Sequence, residues 1–175
     1  MDIKPHPETI QHHLDALFYG AAAEYSDGLV EIAWSGNGGK LCHARMFPIT
    51  PDGLKSATDH AVQVNVDGVN IYVGVNPRKP GTPHKRAASN SIEVAFFNFV
   101  DLDDGTAVAA LPERSAKVPC TFAVITGRCP TPRLHAYWRL EEPVRNLPVW
   151  ERQQAALAAH FNGDAVQDPP RVMRL

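Results

Sequence analysis

The stretch I-E-V-A-F-F-N-F-V-D-L-D-D-G, Ile92 to Gly105, decides how this chain is read. Ile92 to Val100 is an almost unbroken apolar run, the pattern of a central strand buried on both faces. It closes in V-D-L-D. Side chains two apart on a strand share a face, so Asp101 and Asp103 project together while Leu102 turns inward. Two ionised carboxylates side by side repel unless a cation neutralises them, and a hard divalent ion with oxygen ligands does so. The same residues also read as a strand end followed by an Asp-Gly turn, where Asp is common for local backbone reasons. A calcium loop of the EF-hand type does not fit, because the glycine comes one position early and no Glu closes the loop.

Downstream, Thr106 to Ala116 reads as a short helix and Pro119 to Thr126 as a strand. L-H-A-Y-W-R-L, Leu134 to Leu140, alternates as a strand does, with His135, Tyr137 and Arg139 on a face expected to lie away from the core. Leu147 to Phe161 has the period of an amphipathic helix, and Arg171 to Leu175 starts one more strand. With the buried run, the order is β-α-β-β-α-β, a ferredoxin-like unit. In that frame the first strand lies between the third and the fourth and is antiparallel to both. Its C-terminal end then meets the starts of the other two. Asp101 with Asp103, His135, and Asp168 with Arg171 are thereby expected at one edge.

Upstream, Glu8 to Gly20 reads as a helix that Thr9 caps, with Ile10, Leu14, Leu17 and Phe18 at helical spacing. Leu29 to Trp34 and Leu41 to Phe47 flank the hairpin-type turn S-G-N-G-G. Pro51 to Val66 is a helix candidate and Val69 to Val75 a strand. The polar loop from Asn76 to Ser91 carries Arg78, Lys79, Lys85 and Arg86, the densest cationic cluster of the chain. It is expected to be mobile and to contact template or triphosphate.

Composition narrows the classes. A chain of 175 residues suits one domain, or one domain built from two sub-units. No apolar run approaches the roughly 20 residues of a membrane span. M-D-I-K-P-H-P does not resemble a secretory signal, and a cytoplasmic location is expected. Three cysteines without C-x-x-C spacing argue against a disulfide framework and a structural zinc site. The net charge of −2 provides no global attraction to nucleic acid, so contact must come from a local basic patch.

V-D-L-D, then T-G leading to L-H-A-Y-W-R-L-E-E-P, then D-P-P-R-V-M-R-L form an ordered set, preceded by Y-V-G-V-N-P-R. This set resembles the archaeo-eukaryotic primase superfamily, in particular the primase-polymerase domains of plasmid and phage replication proteins. The likeness runs from Ile71 to Leu175. It implies an α/β (α+β) protein in which an N-terminal α/β sub-unit, residues 1–91, packs on an RRM-like catalytic sub-unit, residues 92–175, as one structural domain. It implies a DNA primase/polymerase that transfers a nucleotidyl group from an NTP or dNTP to a 3′-hydroxyl by a two-metal mechanism. By the resemblance, Asp101, Asp103 and Asp168 hold two Mg²⁺ or Mn²⁺ ions. The resemblance also implies that His135 contacts the triphosphate of the nucleotide; Arg171, Arg78 and Thr126 are further expected nucleotide ligands, and Lys79, Lys85 and Arg86, as the cationic cluster, are expected to face the DNA template. The link R-C-P-T-P-R from Gly127 to His135 departs from the short Gly-rich turn of many relatives. The chain stops within the third motif, and a continuation into a helicase is expected. Two other readings stay open: a non-catalytic RRM-like binder that stacks bases on Tyr137, and a two-metal nuclease that needs no triphosphate site.

Overall fold

The computed structural model describes residues 4–36, 39–65 and 68–175. The centre of the expected S-G-N-G-G turn, Asn37 and Gly38, lies outside the described residues, as does Val66 at the end of the second expected helix. In chain order the elements are α1 (Pro7–Phe18), α2 (Ala21–Glu24), β1 (Leu29–Ser35), β2 (Leu41–Pro48), α3 (Pro51–Asn65), β3 (Ile71–Gly74), β4 (Ala95–Leu102), α4 (Gly105–Arg114), β5 (Phe122–Gly127), β6 (Arg133–Val144), α5 (Leu147–Phe161) and β7 (Val172–Arg174). The class is mixed α/β with antiparallel sheets. Two compact units form, Met1–Glu93 with Val172–Leu175, and Val94–Arg171.

In the first unit the sheet order is β2-β1-β3-β7. His6, rather than Thr9, caps α1: its ring nitrogen accepts from the Thr9 N–H at 3.4 Å, and Pro7 occupies the first turn, where a missing N–H costs nothing. Leu14, Leu17 and Phe18 then fall on one buried stripe. α3 buries Leu54, Ala57 and Ala61. β1 is buried on both faces. Val30 and Ile32 form one side, while Ala33 on the other packs with Ala44, Met46 and Val172.

Glu31 lies in the middle of β1 and is fully buried. A buried carboxylate is tolerable only when paired and hydrogen-bonded. Arg78 supplies Nη2 at 2.6 Å and Nε at 2.7 Å, Arg86 adds a second guanidinium, and the Ala87 N–H donates at 3.3 Å. The segment between Asn76 and Ser91 is therefore held down, not free as expected. Leu29 and Arg78 bridge their backbones, and the Met46 N–H donates to His84 Nδ1 at 3.0 Å.

In the second unit the order is β4-β6-β5, so β6 is central and β4 stands at an edge. α4 and α5 cover one face, where Val100, Leu102, Ala107, Leu111, Ala136, Trp138 and Phe161 make a core. Asp104 accepts from the Thr106 N–H at 3.1 Å and starts α4, which accounts for the last acid of D-L-D-D. The opposite face is aromatic: Phe122 stacks on Tyr137 at 4.5 Å, and Phe97 and Phe99 lie beside Tyr137.

The first, second and third strands of the expected ferredoxin frame are in place. The fourth is not: β7 pairs with β3 in the other unit's sheet. An open strand edge needs other partners, and α5 provides them. The Gln154 amide accepts from the Phe99 N–H at 3.1 Å and donates to the Phe99 carbonyl, as a neighbouring strand would. The Trp150 indole N–H donates to the Phe97 carbonyl at 3.0 Å. Gln154 and Trp150 are fully buried. Gln154→Leu keeps the bulk but orphans both Phe99 groups. At about 1–3 kcal/mol for each buried group, a loss of about 2–5 kcal/mol is expected in chemical denaturation. A loss below about 0.5 kcal/mol would mean the edge is satisfied otherwise.

Candidate functional site

Phe97, Phe99 and Asp101 alternate down one face of β4, and Asp101 stands opposite His135 on β6 in the antiparallel register. His135 Nε2 lies 3.4 Å from Asp101 Oδ1, and its Nδ1 is 3.5 Å from the Tyr137 hydroxyl. His135 does lie on the face away from α4 and α5. It is not an exposed strand histidine, however, because its relative exposure is only 4%. Its cross-strand neighbour is Asp101. Tyr137 is fully buried. Burial, and secondarily the Asp101 charge, push its phenol well above the ordinary tyrosine range, so it stays protonated.

Asp103 follows the end of β4 and is exposed. A third acid joins the pair. α5 ends with Asn162 in the left-handed conformation (φ 56°), and the Gly163 N–H returns to the Ala158 carbonyl at 2.9 Å, a Schellman-type cap. The chain then turns onto the open edge of β4, where the Asp164 N–H donates to the Asp101 carbonyl at 3.0 Å. Gly163 is needed there: a Cβ would come within 2.8 Å of that carbonyl oxygen. As a result Asp101, Asp103 and Asp164 offer carboxylate oxygens that all lie within 4.8 Å of one another.

Asp168, expected as the third carboxylate, is not in this group. Its Oδ1 is bonded to Arg171, at 2.7 Å from Nε and 2.5 Å from Nη2. The expectation relied on a fourth strand entering beside β4. Because α5 and the Gly163-Asp164 backbone line that edge, the acid that arrives there is Asp164. The signal was present as F-N-G-D, since Asn-Gly after an apolar helix marks a left-handed stop and puts Asp164 just past it.

The remaining candidates divide. Arg78 is fully buried on Glu31, and Arg86 shares that carboxylate, so neither presents the outward cation that was expected. Lys79 is half-buried and Lys85 exposed. Thr126 is half-buried near the end of β5, beside the irregularity between Ile125 and Gly127. Arg171 is partly exposed. Arg174, on β7, donates to Asn70 at 3.1 Å and lies over the Tyr72 ring.

No protein-family profile matches the chain, and no curated protein matches its sequence. Solved structures do match. The AEP domain of the cyanophage S-2L primase-polymerase (PrimPol) is 22% identical, with a TM-score of 0.63 over 97% of this chain and 81% of that one. The catalytic domain of primase RepB′, solved in complex with initiator DNA, is 16% identical, with a TM-score of 0.56 over 93% of this chain and 74% of that one. A further RepB′ primase structure has the same identity and TM-score and is covered over 49% of its length. At such identities the likeness concerns backbone architecture. The fold of this chain is that of these primase and primase-polymerase domains.

Proposed function

We propose that this chain is the catalytic domain of a primase-polymerase, which transfers a nucleotidyl group from a nucleoside triphosphate to a 3′-hydroxyl under the direction of a nucleic-acid template. The observation that supports this most is the convergence of Asp101, Asp103 and Asp164 within 4.8 Å, on a fold shared with primase-polymerases. The donor set consists of carboxylate oxygens alone. It suits a hard divalent cation, Mg²⁺ or Mn²⁺, better than zinc, which prefers nitrogen and sulfur. When bound, a pair of such ions supplies activation of the attacking oxygen and stabilisation of the leaving oxygen.

The protein's share is positioning. Asp101 comes from β4, Asp103 follows the end of that strand, and Asp164 is pinned by its own N–H. Asp104 is occupied as a helix cap and does not compete. His135, held between Asp101 and the Tyr137 hydroxyl, orients the Asp101 carboxylate and is the candidate neighbour of the triphosphate. Arg171, steadied by Asp168, offers a planar guanidinium to phosphate oxygens. In this reading Asp168 orients a phosphate ligand, and Thr126 lies at the nucleotide's margin. Lys79 and Lys85 remain the candidates for template contact. A DNA template is supported by the RepB′ neighbour, whose catalytic domain was solved with initiator DNA. The rival base-stacking module loses its main residue, because Tyr137 is fully buried and offers no ring face to a base.

Incubation of the chain with a template strand, labelled nucleotides and Mg²⁺ or Mn²⁺ tests the proposal. Extension products in the presence of metal, and none with a chelator, are expected. Shortening of the template without nucleotide incorporation would assign the acids to a nuclease and end the polymerase reading.

A further inference from the structure

A cavity lies wholly within the first unit. It measures about 800 Å³ and opens between the end of β1, the start of β2 and the second half of α3. That volume lies in the range of small-molecule sites. Trp34 and His43, paired across β1 and β2, stack at 5.4 Å with an interplanar angle of 19°. The His60 ring meets Trp34 edge-on at 5.1 Å. Ser35, Cys42 and Gln63 also line the space, and among the described residues none that lines it is Asp, Glu, Lys or Arg.

This chemistry is selective. The described wall residues provide no charged counter-ion for a phosphate or a carboxylate. A three-ligand metal site is not formed either, because Cys42, His43 and His60 do not converge as the three acids of the second unit do. What remains is an aromatic wall with polar atoms able both to donate and to accept. The Gln63 amide is on an exposed helix position. His60 Nε2 is buried without a hydrogen-bond partner among the described residues. Desolvation, aided by the Arg45 charge, lowers the pKa of His60 and keeps the ring neutral, so Nε2 can meet an uncharged polar edge.

We propose that this cavity binds a neutral planar nitrogen heterocycle, a nucleobase, packed into the Trp34–His43–His60 aromatic group with its polar edge at Gln63 and His60. Base–aromatic stacking tolerates any base, and the edge contacts add preference among bases. The base comes either from a free nucleoside or from a nucleic-acid strand. The inference does not rest on the acidic cluster, which is in the other unit.

The test uses the full chain in the presence of a chelator, which takes metal-dependent nucleotide binding out of the measurement. Equilibrium dialysis against labelled adenosine and thymidine reads the free base. Anisotropy of a labelled single strand, compared with an abasic strand of equal length, reads the strand-borne base. Trp34→Leu is expected to weaken base-dependent binding about tenfold or more, whereas Trp34→Phe keeps a ring and most of the affinity. Gln63→Leu, at an exposed position that folding does not require, should weaken binding and alter the preference between the two nucleosides. Loss of nucleoside binding identifies a free-base site. Loss confined to the strand that carries bases identifies a strand-borne base. If Trp34→Leu and Gln63→Leu leave both unchanged, or if the abasic strand binds as well as the normal one and no nucleoside binds, the proposal is overturned.

Discussion

Asp164→Asn is expected to abolish nucleotide incorporation as thoroughly as Asp101→Asn or Asp103→Asn, by about 10²-fold or more. Asparagine keeps the shape and the backbone N–H that reaches the Asp101 carbonyl, and it removes the charge alone. A site formed by three carboxylates within 4.8 Å loses much of its attraction for a divalent cation when any one of them is neutralised. Asp168→Asn should behave differently. Its carboxylate serves Arg171, so the variant should mainly raise KM for the nucleotide and leave kcat largely in place. Steady-state incorporation by the four variants separates the two acids. Full activity of Asp164→Asn together with an inactive Asp168→Asn would return the third position to Asp168. In metal-free buffer the three cluster variants should unfold no earlier than the native chain, because each relieves a carboxylate repulsion.

Glu31→Gln should produce the largest loss of stability. The carboxylate is fully buried and receives both Arg78 and Arg86, and the Arg78 side chain is itself fully buried. Without the negative charge, the Arg78 guanidinium loses its Glu31 ion pair in the interior, at a cost of about 3–5 kcal/mol. Gly74 sharpens this, because its bare Cα makes room for the guanidinium: a Cβ there would stand 2.3 Å from Nη2. Replacing both partners by apolar residues, Glu31→Leu with Arg78→Met, should cost far less than the sum of the single changes. Urea denaturation of the two singles and the double gives the coupling directly. A single Glu31→Gln variant within about 0.5 kcal/mol of the native chain would show that the pair contributes nothing net.

Local signals were read correctly where one element decides its own form. Leu147–Phe161 appears with the bounds that its period implies, and the shared face of Phe97, Phe99 and Asp101 follows from alternation along a strand. The hairpin strands and the His135 strand were legible for the same reason, although β6 continues to Val144; the apolar run before V-D-L-D does form a strand, but from Ala95 and at a sheet edge rather than at the centre. Hydrophobic period and turn residues are properties of neighbouring residues, so a single sequence carries them in full.

What the sequence could not determine was which distant group completes each element. Gln154 reads as one more polar position on a helix, yet it takes the place of a fourth strand at Phe99. Arg78 and Arg86 read as surface charges of a basic loop, yet they converge on a glutamate that looks, in L-V-E-I-A-W, like the solvent face of a strand. Asp168 and Asp164 are equally acidic, and only the Asn162 cap and the open edge of β4 select Asp164. In each case an unsatisfied backbone group or a buried charge had to find a partner. The sequence shows that such a demand exists, but the partner is chosen by whichever side chain the folded chain brings within hydrogen-bond reach.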